Sequence, residues 1–437
     1  MPNICLQFGQ CGGQLGFEIF DCLSKDSVPT KIFSRKYIDN HVENDWFSRY
    51  ENDRLEARSV IVDTEVKVIS ELESKIKGRL WNYPKENAVT TNTGGSGNNW
   101  ARGHYENGPI VRDEVLEKIR IEAEKCDRLD SFFLLMSSAG GTGSGVGTYI
   151  SRCLKNDYPK NNNITALVLP NTSGEVTVQN YNTMFTVGKL YESSDSIIVF
   201  SNDYLYKICS QLLQIKQVNY ENMNNIIAGQ LSCIFSAAVP SNCLSKFLPM
   251  MTAHPDYKLL HMKSTPYYPE SSQIFETPLK WDAILRHMKM MLVKADDCLW
   301  DTKPTWQFNS SSKQRAYVYN KCIANLVACT GNEITGAGHC MESLFGSDEL
   351  YVPWVPKRDR CFSLQNNRVI QGKEKFCSLL CNNGMYIGKL GEMIEKAWNS
   401  FIHQAYTHHF YKHGSNAEDF VYTFAKLESV IKSYTSI

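Results

Sequence analysis

The chain has 437 residues, and its 46 basic and 46 acidic side chains cancel to a formal net charge of zero. Balanced charge excludes binding driven by bulk electrostatics, whether to nucleic acid or to an anionic membrane surface. The length exceeds what one hydrophobic core supports and implies two or three domains. Fifteen cysteines lie scattered in apolar contexts such as "NICLQF", "LSCIF" and "FCSLLC". They lack a disulfide-framework spacing and read as reduced, buried thiols of a cytosolic protein. No secretory leader is expected, and no apolar run approaches the ~18 residues that span a bilayer.

Over the first two hundred residues, unbroken apolar runs alternate with segments of helical period. "NICLQF" passes through a glycine turn into "QLGFEIFDCL", "SVIVD" leads to "EVKVISELESKI", and "DEVLEKIRIEAEKC" precedes "SFFLLMS". "ITALVLP" then leads to "NYNTMFTVGKLY", and "SIIVFS" to "YLYKICSQLLQ". Strands with no polar face, alternating with helices, predict an α/β fold: a doubly wound parallel sheet covered on both sides, here over residues 1–219. "YENMNNIIAGQLSCIFS" reads as one long linking helix over 220–236. A second α/β domain is expected over 237–381. There "YKLLHM" and "YNKCIANLVAC" look like strands, and "PLKWDAILRHMKMMLVKA" is a helix whose methionines pack inward. Pro, Ser and Asn cluster as a loop around 304–312. Residues 382–437 are helical by period, with Gly414 as a stop between two helices.

The most distinctive stretch is "AGGTGSG" at 139–145, four glycines and two hydroxyls that follow the apolar run "FFLLM" after Ser137 and Ser138. A strand that turns through glycine into a helix presents unpaired N–H groups at the positive helix end, a setting suited to phosphate oxygens. A tight turn packed against its neighbours is the alternative. No G-x-x-x-x-G-K-[ST] is present and the glycines miss the G-x-G-x-x-G register, so neither a P-loop nor a dinucleotide fingerprint is supported. The frames of zinc proteases and α/β-hydrolases are absent as well.

"AGGTGSG" resembles the glycine signature of the tubulin family, and other motifs follow in the family's order. "GQCGGQ" at 9–14 resembles its first nucleotide loop and "GNNWARGHY" at 97–105 its third, with further matches from "VQNYN" at 178–182 to "KAWNSF" at 396–401. The resemblance covers nearly the whole chain. It implies that GTP or GDP lies against Gln10, Cys11, Gly97, Asn98, Asn99, Ser138, Gly140, Gly141, Thr142 and Gly143. Glu175 takes the family's ribose-contacting position, Asn202 and Asn224 the two amides that read the guanine edge, and Tyr220 the ring that stacks on the base. Glu65, in "VDTE", takes the acidic position near the γ-phosphate and Mg²⁺. By themselves these residues have plainer readings: Glu65 as a helix cap, Cys11 as a buried thiol, 97–99 as a surface turn, Tyr220 as a packed helix residue. Gln179 stands where α- and β-type chains carry a glutamate, which removes one charge near the ribose.

"GEVTVQNYN", "HPDYKLL" and the ending "EDFVYTFAKLESVIKSY" are most similar to the centriole and basal-body branch of the family. That branch implies other tubulins as longitudinal and lateral neighbours, centriolar proteins as further partners, and a place in the cytoplasm, cytoskeleton, cilium base and nucleus. The rival is an actively hydrolysing branch that polymerises or nucleates. In the family, a loop of the next subunit supplies the acid that orients the attacking water. Here that segment is "PSNCLSKFLPMMTAHP", its activating position falls on Lys246, and no acidic residue occurs between Ser236 and Pro255. An ammonium cannot align water as a carboxylate does, so no intrinsic catalytic residue is assigned and GTPase activity is placed in doubt. The lateral loop "TKPTWQFNSSSKQ" has no readable geometry. His409 and His413, four apart, read as a polar helix face, and Cys377 and Cys381 as two buried thiols.

Overall fold

Strand β1 (Asn3–Phe8) is buried along its whole length and runs straight into α1 (Gly9–Asp26). The computed structural model describes residues 2–26, 41–49, 54–91, 94–174, 176–238, 244–269, 280–293 and 321–437. After α1 come α2 (His41–Trp46), β2 (Phe47–Arg49), β3 (Leu55–Ala57), β4 (Ser59–Asp63) and α3 (Val66–Ile76). Next follow β5 (Trp81–Asn82), β6 (Ala88–Thr90), α4 (Gly108–Glu124), β7 (Ser131–Ser137), α5 (Gly147–Asp157) and β8 (Asn162–Leu169). Helix α6 (Gln179–Ser193), β9 (Ser196–Ser201) and α7 (Asn202–Lys207) lead to the long α8 (Tyr220–Ala237). The second half holds α9 (Leu244–Met251), β10 (Leu259–Thr265), α10 (Trp281–Val293), β11 (Ala324–Gly331), α11 (Ala337–Phe345), β12 (Cys361–Asn366) and β13 (Lys375–Asn382). Helices α12 (Ile387–Ile402), α13 (Thr407–Tyr411) and α14 (Ala417–Thr435) close the chain.

The principal sheet has ten strands in the order β12-β11-β13-β10-β9-β8-β7-β1-β4-β6. From β6 to β10 every pairing is parallel. Strand β13 then runs antiparallel to both β10 and β11. The expected α/β architecture is present, and the sheet passes without a break from the first half into the second through Leu259↔Ile197, Leu260↔Ile198 and His261↔Val199.

Unbroken apolar strands are explained by cores on both faces. One face packs α1 and α8 against residues such as Phe133, Leu135, Ile198 and Leu326. The other packs α4, α5, α6, α12 and α14 against Ile4, Leu6, Leu134 and Leu167. A third cluster joins α10 and α11 to β11 and β13, and Met288 and Met291 are buried in it, as the sequence predicts. Helix α8 is buried from Ile226 to Ala237, which accounts for its nearly all-apolar surface. Its start is fixed by a reciprocal cap: Asn219 Oδ1 accepts from the Asn222 N–H and the Asn222 side chain accepts from the Asn219 N–H. Gly414, at φ +94°, lies between α13 and α14 as the composition suggests.

Candidate functional site

The sheet's strand order reverses about β1, which pairs with β4 on one side and β7 on the other. In an open parallel sheet the loops at the strands' carboxyl ends diverge at such a point and leave a crevice. The turn after β1 and the turn after β7 meet there. Gly9 adopts φ +70°, and a Cβ on it would lie 3.0 Å from the Gly143 nitrogen. Most glycines of "AGGTGSG" are demanded by this crowding of loop on loop. A Cβ on Gly141 would fall 2.6 Å from Ser96 Cβ and 2.8 Å from the Asn99 nitrogen, and one on Gly145 would fall 2.5 Å from Trp100 O. Gly140 differs, because a Cβ there would meet only Asn98 Oδ1, at 3.8 Å. Of the two adjacent glycines, Gly140 is the one that faces open space.

Side chains stitch the three loops into a single cradle. Thr64 and Thr142 hydroxyls lie 2.6 Å apart, Ser96 Oγ lies 3.2 Å from Thr142 Oγ1, and Asn107 Nδ2 donates to Ser96 Oγ at 2.9 Å. Asn182 is fully buried: Nδ2 donates to Asn98 O at 2.8 Å and Ala139 O at 2.7 Å, while Oδ1 accepts from the Trp100 N–H at 3.0 Å. Asn99 Nδ2 donates to His409 O at 3.0 Å, tying the 94–99 segment to α13. Ser138 is fully buried, its hydroxyl 2.9 Å from Thr183 Oγ1 and its N–H donating to Val168 O, so it anchors the loop from beneath. Ser144 Oγ turns inward to Gly140 O. The sequence reading did not single out Asn182, Thr64 or Asn107 as site residues. Only "VQNYN" carried a signal for Asn182, as part of a motif rather than as a structural bridge.

Gln10, exposed, and Cys11, partly buried, stand in the first turn of α1, whose leading N–H groups have no partner within the helix. Burial pushes the Cys11 thiol up to about 12, so it is a neutral group at physiological pH. Gly97 and Asn98 are exposed beside the cradle, both at positive φ, and Asn99 is buried. Further along the same sheet edge, Asn202 begins α7 directly after β9. Tyr220 is 44% exposed at the start of α8, and Asn224, one helical turn on, is buried on the same side. Gln179 begins α6 and is buried. Its Nε2 donates to Asn171 O at 3.2 Å and its Oε1 has no partner. Glu175 lies outside the described residues, as does the lateral loop 302–314.

Two carboxylates flank the cradle. Glu65 is exposed at the N-cap position of α3 and makes no side-chain cap bond. A Cβ on Gly95 would lie 2.6 Å from Glu65 Oε1, so this carboxylate overhangs the 94–99 segment. Asp63, at the end of β4, accepts from the Glu65 N–H at 3.0 Å through Oδ1, while its buried Oδ2 has no partner. Burial raises the Asp63 carboxyl to about 6. Hard carboxylate oxygens, one of them orphaned, suit a divalent cation such as Mg²⁺. Among the described residues no three His, Cys, Asp or Glu side chains form a metal cage, so such an ion would complete its shell with phosphate oxygens and water.

Lys246 is exposed on α9 at the opposite end of the strands. Its neighbour Ser245 bonds Asp130, whose own N–H donates to Pro2 O at 2.8 Å, just before β1. His413 lies beyond the short α13 and pairs with Glu106 at 2.7 Å, whereas the His409 ring sits 4.1 Å from the His408 ring at a 37° tilt, so the two do not share a chelating face. Cys377 and Cys381 are buried on β13.

Parallel strands, a crevice at the strand reversal and interlocked glycine loops define the GTPase domain of the Tubulin/FtsZ family, whose description matches residues 3–210. The chain belongs to the tubulin family. Along its full length it is similar to the tubulin delta chains of Canis lupus familiaris, at 34% identity over 100% of both chains, and of Mus musculus, at 33% over 100% of both. A tubulin beta-1 chain of Chondrus crispus is 32% identical over 53% of this chain and 51% of its own. Membership implies a guanine nucleotide and other tubulins as partners. No helix among the described residues is long and apolar enough to cross a membrane.

Proposed function

We propose that this protein is a GTP-binding tubulin of the delta type, a structural or assembly component of centriole and basal-body microtubules that acts in cilium assembly. The observation that carries the nucleotide reading is the convergence of three stitched loops on Gly140, the glycine with open space in front of it. In this reading the backbone around Gln10, Cys11 and Gly140–Gly143 receives the phosphates, and Gly97–Asn99 closes over them. Glu175 contacts the ribose, Tyr220 stacks on the base, and Asn202 and Asn224 read its edge. Glu65, with Asp63 behind it, would hold Mg²⁺, which neutralises phosphate charge when bound. Full-length similarity to delta chains, against half-length similarity to a beta chain, supports the centriolar assignment.

Lys246 and the cradle occupy opposite ends of the same strands, an arrangement suited to head-to-tail stacking of tubulin subunits, a heterologous contact. Such stacking would bring Lys246 toward the next subunit's phosphates. An ammonium there would not orient water, so this surface would hold a neighbour's nucleotide without triggering hydrolysis. Residues 1–219 would then form the nucleotide unit, 220–236 its linking helix, 237–381 the unit carrying Lys246, and 382–437 the outer helical layer.

The test is nucleotide content of the purified chain, followed by single-turnover GTP hydrolysis alone and with αβ-tubulin. Bound guanine nucleotide without turnover by the isolated chain is expected. Turnover that rises with the chain's own concentration would favour an actively hydrolysing polymer and overturn the role given to Lys246, and absence of nucleotide would overturn the site.

A further inference from the structure

Lys389 lies in the first turn of α12, within the outer helical layer, yet its ammonium reaches the ligand end of the sheet. Nζ donates to Ser201 Oγ at 2.6 Å and to Asp203 Oδ2 at 2.5 Å, and the lysine side chain is only 14% exposed. Ser201 and Asp203 are the residues on either side of Asn202. The same Asp203 carboxylate accepts from the Thr172 N–H at 3.2 Å and from the Thr172 hydroxyl at 2.7 Å. Asn171, the residue before Thr172, receives the Gln179 amide. One largely buried cation therefore holds, through one carboxylate, the loop after β8 to the end of β9 and the first turn of α7.

Stability is a poor explanation for such a pair, because Asp203 is 30% exposed, solvent screens its attraction, and desolvating the lysine offsets most of what remains. Geometry is what a charged pair supplies. Burial pushes the Asp203 carboxyl up, but the Lys389 ammonium and the Thr172 donors outweigh it and hold it below its usual range. The clamp is thus ionised and closed at neutral pH.

We infer that Lys389 is a positioning residue for nucleobase recognition: by fixing Ser201 and Asp203 it sets the Asn202 amide, and through Thr172 it aligns the Asn171–Gln179 side of the site. The inference rests on the guanine-nucleotide reading above.

The experiment compares the full-length wild type with Lys389→Met/Asp203→Asn, which leaves no lone buried charge, with Lys389→Met and Lys389→Arg, and with Thr172→Val, which keeps the ion pair. Thermal unfolding and the dissociation constants of GTP and of inosine triphosphate, which lacks the exocyclic amine, are measured for each. The double variant is expected to unfold near the wild-type temperature, to bind GTP about tenfold more weakly, a loss of about 1.4 kcal/mol, and to lose most of its preference for GTP over inosine triphosphate. Lys389→Arg should recover part of what Lys389→Met loses, and Thr172→Val should fall between wild type and the double variant. An unchanged GTP affinity, or an equal loss for both nucleotides, would overturn the positioning role while leaving the nucleotide site standing. A wild-type chain that binds neither nucleotide would overturn both.

Discussion

At the amino ends of β1 and β7 the molecule closes on itself. The Asp130 N–H donates to Pro2 O at 2.8 Å, Ser131 Oγ donates to Asn3 Oδ1 at 2.5 Å, and the Ser245 N–H donates to Asp130 at 3.4 Å. Toward the carboxyl ends of the parallel strands, Gly140 beyond β7 faces open space, Asp63 Oδ2 at the end of β4 is buried without a partner, and Tyr220 at the start of α8 is exposed. A buried polar atom left unpaired costs about 1–3 kcal/mol, so the second end carries a deficit that a ligand can relieve. Ser59 Oγ and Ser196 Oγ, at the amino ends of β4 and β9, are also buried without a partner, so it is the orphaned carboxylate together with the open space that marks the carboxyl end.

Substitutions that separate packing from ligand contact put this contrast under strain. The largest loss should come from Gly12→Ala, whose Cβ would fall 2.4 Å from the Leu135 carbonyl oxygen. Backbone of this kind cannot yield cheaply, and about 3 kcal/mol or more should be lost in urea unfolding. Asn182→Ala removes three hydrogen bonds at once, one of them fully buried. It should cost about 2–3 kcal/mol and weaken guanine-nucleotide binding with it, read by calorimetry on the same preparation.

The pH dependence of stability probes the deficit directly. Because burial raises Asp63 from 3.8 to about 6, the native state holds its proton where the unfolded chain has released it. Stability should therefore fall as pH rises between those two values, by about 3 kcal/mol from this group, and stay lower above them. Asp63→Asn should flatten that portion of the profile, and saturating Mg²⁺ with GTP should flatten it in the wild type. Gly140→Ala makes the sharpest separation. Its Cβ has only Asn98 Oδ1 nearby, so stability should stay within about 0.5 kcal/mol while GTP affinity drops about tenfold. Lys246→Asp, at an exposed position, should change stability by no more than the ~1 kcal/mol of a surface ion pair and should leave GTP affinity unchanged in the isolated chain. Its functional effect should be confined to faster hydrolysis in mixtures with αβ-tubulin, followed by phosphate release.

Much of the fold was legible because burial on both faces leaves a plain imprint. The all-apolar runs "NICLQF", "SFFLLMS" and "ITALVLP" became β1, β7 and most of β8, and the 3.6-residue period over 220–236 became α8. What pattern did not reveal was that β10 continues the first half's sheet, because strand pairing at the edge depends on which runs meet in space. Likewise Lys389 and Asp203 are 186 residues apart, and no spacing rule links a lysine on an outer helix to the first turn of α7. Thr64, Thr142 and Ser96 are ordinary loop hydroxyls until three separate turns converge.

The sequence alone determined the class of the protein and the glycine-bearing turns between its apolar strands and helices. These are local properties, set by side-chain type and by the periods of strand and helix. Only the tertiary structure decided which of these glycines has space beside it. Gly140 and Gly141 are adjacent and chemically identical, and they differ because Ser96 and Asn99, brought in from another loop, close the space beside one and leave it open beside the other.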